Sequence, residues 1–308
     1  MEMKNLRQVY GETLVRLGGE HDNLVVLDAD LSKSTMSCLF QQAFPQRFFE
    51  MGIAEQNMAS FAAGLALTGK VAFINSFAVF ASGRAYDQIR QGICIPALNV
   101  KIMGSSTGLS DFGDGSTHQA VEDVAIMRAI PNMTVLAPAD AAETEMAVEA
   151  AFKHEGPVYI RVNRNNMPDV TPAGYRFEIG KPCVIRDGCD FTVLAHGLMV
   201  GLALKAAESL GEEGISVRVV NVSTLKPVDE KEILRLCKGM KGVVTAEEHS
   251  LIGGLAAIAA GVLAGTGIPV RSIGIRDSFG QSAESYEELL EAYGLTEKAV
   301  TESIRTLL

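Results

Sequence analysis

The stretch VAFINSFAVFASGRAYDQIRQGICIPALNVKIM, residues 71–103, predicts the fold of this chain. It opens with an apolar run at 71–75, passes through a helical pattern at 82–93, and returns to a second apolar run at 99–103. Continuous β-branched runs that alternate with helices are typical of a parallel sheet covered on both faces. The segment is therefore predicted to be one strand–helix–strand unit of an α/β domain.

The same alternation extends in both directions from this unit. Further strands are predicted at 24–28, 134–137, 158–162, 191–195, 217–222, 242–248 and 270–275. Helices are predicted at 4–18, 54–68, 119–129, 141–153, 229–236 and 251–264, with one more that ends about residue 210 and a last one from 284. The stretch 163–189 breaks the rhythm and is predicted to be a linker. We expect two consecutive α/β domains, residues 1–170 and 185–308, each a mostly parallel sheet with helices on both faces.

The composition excludes several classes of protein. The 308 residues carry 27 Lys and Arg against 37 Asp and Glu, and this net charge of −10 disfavours binding to nucleic acid or to an anionic membrane. A content of 47% hydrophobic and 21% charged residues excludes disorder as the default. The uncharged run 250–270 is long enough to cross a membrane. Its many Gly and Ala residues and its Pro269 favour a buried helix followed by a strand instead.

The cysteines and the N-terminus indicate a cytoplasmic protein. The five cysteines are scattered at positions 38, 94, 183, 189 and 237, and neither a CxxC pair nor an even number is present. We interpret them as reduced thiols. The N-terminal segment is charged and lacks a signal-peptide pattern. No HExxH or paired-Cys motif predicts a metal site in this chain.

Glu55 is the first candidate for chemistry. It opens a predicted helix whose following residues are almost all apolar. The carboxyl could cap that helix and complement its dipole. Alternatively, it could be buried and share a proton with a ligand nitrogen. Burial would raise its pKa and the helix N-terminus would lower it, so the sequence leaves both functions open.

The segment GSSTGLSDFGDGSTHQAVED, residues 104–123, suits a loop that a ligand approaches closely. His118 at its end could act as an acid, a base or a hydrogen-bond donor, or it could simply pack. Asp114 could bind a substrate hydroxyl or form the turn. The tripeptide Gly113-Asp114-Gly115 resembles the start of a metal-binding motif for thiamine diphosphate, but the Asn that this motif needs is missing from APADAAE, residues 137–143.

Two further pairs lie at the ends of predicted strands. Phe77 and Phe80 could stack on a flat ring or belong to the core. Arg161 and Arg164 could bind phosphate through their planar donors, or form a solvated pair in a loop.

Together these segments resemble the transketolase family over nearly the whole chain. Phe49 to Met58, the two phenylalanines, the 113–119 segment, and Pro131-Asn132-Met133 before Pro138-Ala139-Asp140 are similar to its pyrimidine-binding domain. The segments similar to its C-terminal domain are Lys226-Pro227-Val228-Asp229, Glu247-Glu248-His249, Gly253-Gly254-Leu255 and Asp277-Ser278-Phe279-Gly280. Each motif is weak alone, but together they occur in the family's order.

The resemblance implies one subunit of a two-chain enzyme. Full transketolases begin with another domain that holds Mg²⁺ and the diphosphate of thiamine diphosphate, and this sequence shows no such domain. We therefore expect a C-terminal subunit that acts with a separate N-terminal subunit, as a heterotetramer in which this chain also self-associates. The implied reaction, one of the pentose phosphate type, moves a two-carbon ketol unit from a ketose phosphate to an aldose phosphate.

The resemblance also assigns roles to individual residues. Glu55 matches the Glu that holds a proton on N1′ of the aminopyrimidine, which favours the imino form that deprotonates C2 of the thiazolium. Phe77 and Phe80 match the aromatic wall of the pyrimidine, and Asp30 is expected near the cofactor. His118 is implied to be catalytic and, with Asp114, to contact the donor sugar. The further substrate-binding residues implied are Arg164, which matches the phosphate-binding Arg, and Ser34 and Arg7.

Some positions depart from the family pattern, and other functions stay open. Ser106 stands near a position where full transketolases usually carry a His, and Gly113 stands where they usually carry a Glu. A third aromatic residue is missing near Gly83. These departures affect the sugar specificity. The alternatives are a synthase similar to deoxyxylulose-phosphate synthase, which the segment 84–88 resembles, a 2-oxo-acid dehydrogenase small subunit, and a non-catalytic partner protein.

Overall fold

The computed structural model describes residues 3–308, so the first two residues of the predicted first domain lie outside the described residues. The strands are β1 (Met3–Asn5), β2 (Leu24–Asp28), β3 (Phe48–Glu50), β4 (Val71–Phe77), β5 (Val100–Ser105), β6 (Thr134–Leu136), β7 (Val158–Val162), β8 (Asn166–Pro168), β9 (Cys183–Arg186), β10 (Phe191–Ala195), β11 (Val217–Asn221), β12 (Thr224–Lys226), β13 (Gly242–Ser250) and β14 (Val270–Ile275).

Helices connect most of these strands, as a parallel sheet requires. The α-helices are α1 (Leu6–Glu20), α2 (Ser32–Thr35), α3 (Cys38–Ala43), α4 (Glu55–Leu67), α5 (Tyr86–Gln88), α6 (Asp123–Ala129), α7 (Ala141–Lys153), α8 (Leu198–Glu212), α9 (Glu230–Cys237), α10 (Leu255–Val262), α11 (Tyr286–Ala292) and α12 (Glu297–Arg305).

Within residues 3–308 the strands form two main sheets and one small ribbon. The first sheet has the order β12-β6-β7-β5-β4-β2-β3, and only its β12 edge is antiparallel. The second sheet has the order β14-β13-β10-β11-β9, with β9 antiparallel. Strand β1 pairs with β8. The predicted α/β fold with two mostly parallel sheets is confirmed.

The second half of the chain contributes one strand to the first sheet. Strand β12 lies between β11 and α9 in sequence, yet it pairs with β6 of the first sheet. A buried apolar cluster continues across the same boundary, because Val135 and Ala137 share it with Val220 and Leu225. The two halves are thus packed together through a common core.

The structure corrects several predicted boundaries. The first helix begins at Leu6 rather than residue 4, because the Asn5 side chain accepts a hydrogen bond from the Gln8 amide and caps it there. The helix predicted at 82–93 is a short α5 between two π-helical segments. The helix predicted from 119 begins at Asp123, after a 3₁₀ turn at Gly115–Thr117. The predicted linker 163–189 contains β8 and β9.

The uncharged run 250–270 has the structure predicted for it. It covers the last residue of β13, the whole of α10 and the first residue of β14. None of the helices within residues 3–308 combines the length and the apolar character that a membrane crossing needs.

Candidate active site

The candidate residues gather at the carboxyl edge of the first sheet. Strands β2, β4, β5 and β7 are parallel neighbours, so their carboxyl ends open on the same side. Asp28, Phe77, Ser105 and the segment that leads to Arg164 all lie at or just beyond these ends. Ligands of open α/β sheets bind at this edge because the loops that follow the strands converge there.

Glu55 is buried at this edge. Its side chain is only 2% exposed, and it is the first residue of α4. The Arg84 guanidinium donates from Nη1 to both carboxyl oxygens of Glu55, at 3.1 and 3.3 Å. The side chain of Arg84 is about half exposed, so the buried carboxylate has a cation between it and solvent. A buried acid with a movable partner can exchange that partner for a ligand nitrogen.

An aromatic wall stands next to this carboxylate. The rings of Phe77 and Phe80 are stacked, with centroids 6.1 Å apart and planes 16° from parallel. The His118 ring meets both edge-on, at 5.3 Å from Phe80 and 6.1 Å from Phe77. The Arg84 guanidinium lies 4.9 Å from the centre of the Phe80 ring. Glu55, Arg84, the two phenylalanines and His118 therefore form one continuous surface.

The surface continues to Arg164. Its guanidinium lies 5.8 Å from the centre of the Phe77 ring, and its Nη1 donates to Asp111 Oδ2 at 2.6 Å. Asp111 is 3% exposed. Burial raises the pKa of Asp111 and the charge of Asp114 raises it further, whereas Arg164 opposes the shift. Asp114 is thus close enough to act on Asp111, although its own side chain is exposed.

Arg7 and Ser34 lie at the same end of the site. Arg7 Nη1 donates to the backbone carbonyl of Ser34 at 2.8 Å, so Ser34 takes part through its backbone here. Burial lowers the pKa of Arg7, and the neighbouring charge of Arg164 lowers it further. The buried Nε of Arg7 has no hydrogen-bond partner within the part of the chain that is described. Two neighbouring guanidinium groups with an unused donor suit an anion.

Asp30 is placed less directly. It is exposed and adopts a left-handed backbone with φ of 63°, and its amide donates to Glu50 Oε1 at 2.8 Å. The neighbouring Asp28 is buried and accepts hydrogen bonds from the Leu31 amide and from the hydroxyl groups of Thr35 and Ser37. Burial raises the pKa of Asp28 to about 6. Asp28 therefore holds the turn that carries Asp30 and Ser34.

Of Arg161, which lies within β7, and Arg164, which follows it, only Arg164 faces the site. Arg161 is 5% exposed and forms an ion pair with the buried Asp123 at 3.0 Å. Neither of the functions left open for Arg161, phosphate binding or a solvated loop, fits this burial. It stabilises the contact between the two halves of the chain, since its Nη2 also donates to the Glu248 carbonyl at 2.7 Å.

Sequence reasoning missed two residues of the site. Arg84 lies in the segment 84–88 that resembles deoxyxylulose-phosphate synthase, and Asp111 lies in a loop between β5 and α6, but no local pattern marks either residue as part of the site. The available signal for Asp111 is that it is one of two acidic residues inside the Gly- and Ser-rich loop at residues 104–119, which we call the glycine-rich loop. No residue pattern predicts either ion pair, because the partners lie 29 and 53 positions apart.

The residues present fit the pyrimidine half of thiamine diphosphate. A flat heteroaromatic ring needs an apolar face and a proton-sharing group, and the site offers the Phe77–Phe80 wall beside the buried Glu55 carboxyl. Among residues 3–308 no cluster of His, Cys, Asp and Glu side chains is arranged to hold a metal ion.

Comparisons with known families agree over both halves of the chain. The family model for the transketolase pyrimidine-binding domain matches residues 2–170, and the model for the transketolase C-terminal domain matches residues 180–300.

Individual relatives match almost end to end. A chain of Methanocaldococcus jannaschii that bears the name transketolase C-terminal section is 47% identical, over 98% of this chain and 95% of that one. A 6-deoxy-6-sulfo-D-fructose transketolase subunit of Clostridium sp. strain MSTE9 is 42% identical, over 96% and 92%. A solved structure described as a split gene transketolase, inactive beta4 tetramer, superposes with a TM-score of 0.88 at 48% identity, over 98% and 97%. This chain belongs to the transketolase family, and over its length it corresponds to the C-terminal subunit of a split transketolase.

Proposed function

We propose that this chain supplies the pyrimidine-binding half of a thiamine diphosphate site in a two-chain transketolase. The enzyme transfers a two-carbon ketol unit from a ketose phosphate to an aldose phosphate. The observation that carries the proposal is the Glu55 carboxyl, 2% exposed at the start of α4 and joined to the Phe77–Phe80 wall through Arg84. The proposal keeps residues 1–170 as the pyrimidine-binding unit and residues 185–308 as the C-terminal unit.

Glu55 would hold a proton on the ring nitrogen of the bound pyrimidine. When bound, thiamine diphosphate supplies the carbon nucleophile that adds to the carbonyl of the donor sugar. Phe77 and Phe80 would hold the ring by its faces and exclude water from the Glu55 carboxyl. Arg84, which now pairs with Glu55, would move aside along its exposed side when the ring enters. Asp30 would border the cofactor.

The residues proposed to bind the sugar lie at the other end of the same surface. His118, edge-on to both phenylalanines, would move a proton at the reacting carbonyl or hydroxyl of the sugar. Asp114 is exposed and would accept a hydrogen bond from a sugar hydroxyl. Arg164 and Arg7 would bind the sugar phosphate, with Ser34 beside them. The two ends are joined by the 5.8 Å contact between Arg164 and Phe77.

The partner would hold the diphosphate and Mg²⁺. The Gly113-Asp114-Gly115 tripeptide of this chain lies in the glycine-rich loop, where Asp114 faces solvent at the substrate end. The solved relative that forms a tetramer of one chain type is described as inactive, which supports a need for a second subunit. We propose a heterotetramer in which two copies of this chain meet two copies of an N-terminal subunit. The five cysteines of this chain form no disulfide, which suits a protein of the reducing cytoplasm.

The proposal is tested by reconstitution. The purified chain, an N-terminal subunit that carries a GDG motif with its later Asn, thiamine diphosphate and Mg²⁺ are assayed alone and mixed. We expect ketol transfer from xylulose 5-phosphate to ribose 5-phosphate only in the mixture. Calorimetry of each chain and of the mixture should give tight cofactor binding only when both are present. Activity of this chain alone, or of the partner alone, would contradict the proposed division of the site.

A further inference from the structure

The glycine-rich loop is held from the C-terminal half of the chain. Leu109 is fully buried in the same apolar cluster as Phe191 and Tyr286, which belong to that half. Ala283 donates its amide to the Phe112 carbonyl at 2.9 Å. The Gln119 side chain donates to the Gln281 carbonyl at 3.0 Å. The loop that carries Asp111, Asp114 and His118 therefore packs against the second unit.

Glu248 is the charged group at the centre of this contact. It lies near the end of β13 and is 2% exposed. Its Oε1 accepts a hydrogen bond from the Leu109 amide at 2.8 Å, and its Oε2 accepts one from Asn163 Nδ2 at 3.2 Å. The same Asn163 Nδ2 also donates to the Tyr286 hydroxyl at 2.9 Å, so Tyr286 belongs to this cluster. One carboxylate thus joins two segments of the first unit that are far apart in sequence.

The loop backbone is shaped to admit this carboxyl. Gly108 has φ of +59°, and a Cβ built at that position would overlap the carboxyl group of Glu248. A side chain here would strain the backbone and displace Glu248 at the same time. Glycine at position 108 therefore allows the loop to rest directly on the acid.

The two segments that Glu248 joins carry the paired charges of the substrate end. Leu109 lies two residues before Asp111, and Asn163 lies next to Arg164. Ser110 ties the segments together again, since its hydroxyl accepts from the Arg164 amide at 3.4 Å and its carbonyl accepts from the Asn165 side chain at 3.1 Å. A shift at Glu248 would therefore change how Asp111 and Arg164 meet.

The surroundings of Glu248 are charged on several sides. Arg161 on β7 favours its ionised form, and Asp123 on α6 opposes it. Burial raises the pKa of the Glu248 carboxyl to about 7. Glu247 and His249 flank it along β13, and Glu247 instead accepts hydrogen bonds from the Leu255 and Ala256 amides at the start of α10.

We propose that Glu248 is a positioning residue for the sugar site: it fixes the spacing of the Asp111 and Arg164 segments and thereby sets the affinity for phosphosugars. This inference rests on the proposed function. Glu248 acts through the Leu109 amide and the Asn163 side chain and touches neither sugar nor cofactor. The second unit then has a function in substrate binding.

The kinetic test uses Glu248→Gln in the reconstituted two-chain enzyme. A Gln keeps the size of the side chain, but its NH₂ group cannot accept from Leu109 or Asn163. We expect KM for the ketose and aldose phosphates to rise by about tenfold, as for the loss of one buried hydrogen bond. The apparent affinity for thiamine diphosphate and kcat should each change less than about twofold, because Glu248 contacts neither the cofactor nor the reacting atoms.

Two matched variants separate positioning from a general loss of stability. Glu247→Gln removes the neighbouring buried carboxylate, which caps α10, and should lower Tm without raising the sugar KM. Tyr286→Phe should raise the sugar KM in the same direction as Glu248→Gln, and the double variant should be less than additive. Equal effects of Glu247→Gln and Glu248→Gln on KM would overturn the proposal.

A measurement on this chain alone distinguishes the inference from the proposed function. Amide hydrogen exchange over residues 105–112 should become faster in Glu248→Gln and stay unchanged in Glu247→Gln. If the wild-type mixture shows no ketol transfer, the proposed function fails, while the exchange result still decides whether Glu248 holds the loop. Unchanged exchange in Glu248→Gln, or an unchanged sugar KM in an active mixture, would refute the positioning role.

Discussion

The Arg84 guanidinium lies 3.1 Å from one carboxyl oxygen of Glu55 and 3.3 Å from the other, and it also lies 4.9 Å from the centre of the Phe80 ring. One side chain thus contacts both the acid and the aromatic wall of the candidate cofactor site. Since Glu55 is buried and Arg84 is half exposed, the arginine can leave the acid without unfolding its surroundings. In the proposed site, a ring nitrogen of the cofactor would replace the Arg84 guanidinium at the Glu55 carboxyl.

Glu55→Gln should remove most of the activity of the reconstituted enzyme. The amide cannot share a proton with the pyrimidine, so turnover should fall at least ~100-fold, the lower range for a positioned proton donor. Steady-state rates measure the loss, and gel filtration should show that the two-chain complex still assembles. Glu12→Gln, on the exposed face of α1, is the matched control. Turnover within a few-fold of wild type in Glu55→Gln would remove Glu55 from the proposed role.

Arg84→Met should destabilise the free chain through the loss of the cation beside Glu55. The effect should be about 1 kcal/mol or less, because Arg84 is half exposed and its ion pair is screened by water. Thermal unfolding should show a smaller effect of Arg84→Met when Glu55 is already Gln. Arg90→Met, at an exposed arginine of the same segment, is the control. Equal effects in both backgrounds would show that the two side chains are not coupled.

Arg164→Ala should weaken the binding of phosphosugars selectively. Loss of a charged hydrogen-bond donor to phosphate should raise KM for a ketose phosphate by about 10- to 100-fold. KM for an unphosphorylated ketose and the affinity for thiamine diphosphate should change little, since neither ligand contacts the residues proposed to bind the sugar phosphate. Inhibition by inorganic phosphate, which would compete for the same residues, should also be weaker in Arg164→Ala than in the wild type. An equal rise in KM for both kinds of ketose would show that Arg164 does not bind phosphate.

Asp28→Asn should change how stability depends on pH. Burial raises the pKa of Asp28 from 3.8 to about 6, so the folded chain binds a proton more tightly than the unfolded chain. This group therefore stabilises the fold fully below pH 4, and that contribution, about 3 kcal/mol, is lost as pH rises through 6.

The measurement for Asp28 is thermal unfolding at pH 5 and pH 8. Asn keeps a carbonyl acceptor for the Leu31 amide but does not titrate, so Tm of the variant relative to wild type should increase between these two values. Asp22→Asn, at an exposed acid, should give the same difference at both pH values. A constant difference for Asp28→Asn would show that its carboxyl is not the titrating group.

Local sequence patterns predicted the ends of several regular elements to the residue. Strands β2, β7, β10 and β14 and helix α7 have the predicted ends. In α7 the reason is visible, because Asp140 Oδ1 accepts from the Glu143 amide and caps the helix. The prediction of one helix at 82–93 was less accurate, because the apolar spacing of this segment does not distinguish α-helical from π-helical turns.

The candidate site was predicted unevenly for a physical reason. Glu55, Phe77, Phe80, His118 and Arg164 come together as expected, because parallel strands bring their carboxyl ends to one edge. The counter-charges Arg84 and Asp111 were missed, and the contact from Glu248 to Leu109 spans 139 positions. No local pattern encodes such a pairing.

What the sequence by itself determined is the alternation of strands and helices and the residue types at the carboxyl edge of the first sheet. These follow from periodicity and capping, which act over a few neighbouring residues. The tertiary structure alone decided that β12 joins the first sheet, that Arg84 and Asp111 neutralise the site residues, and that Glu248 supports the glycine-rich loop. Those contacts depend on how two separately patterned halves pack, and packing brings together residues that are far apart along the chain.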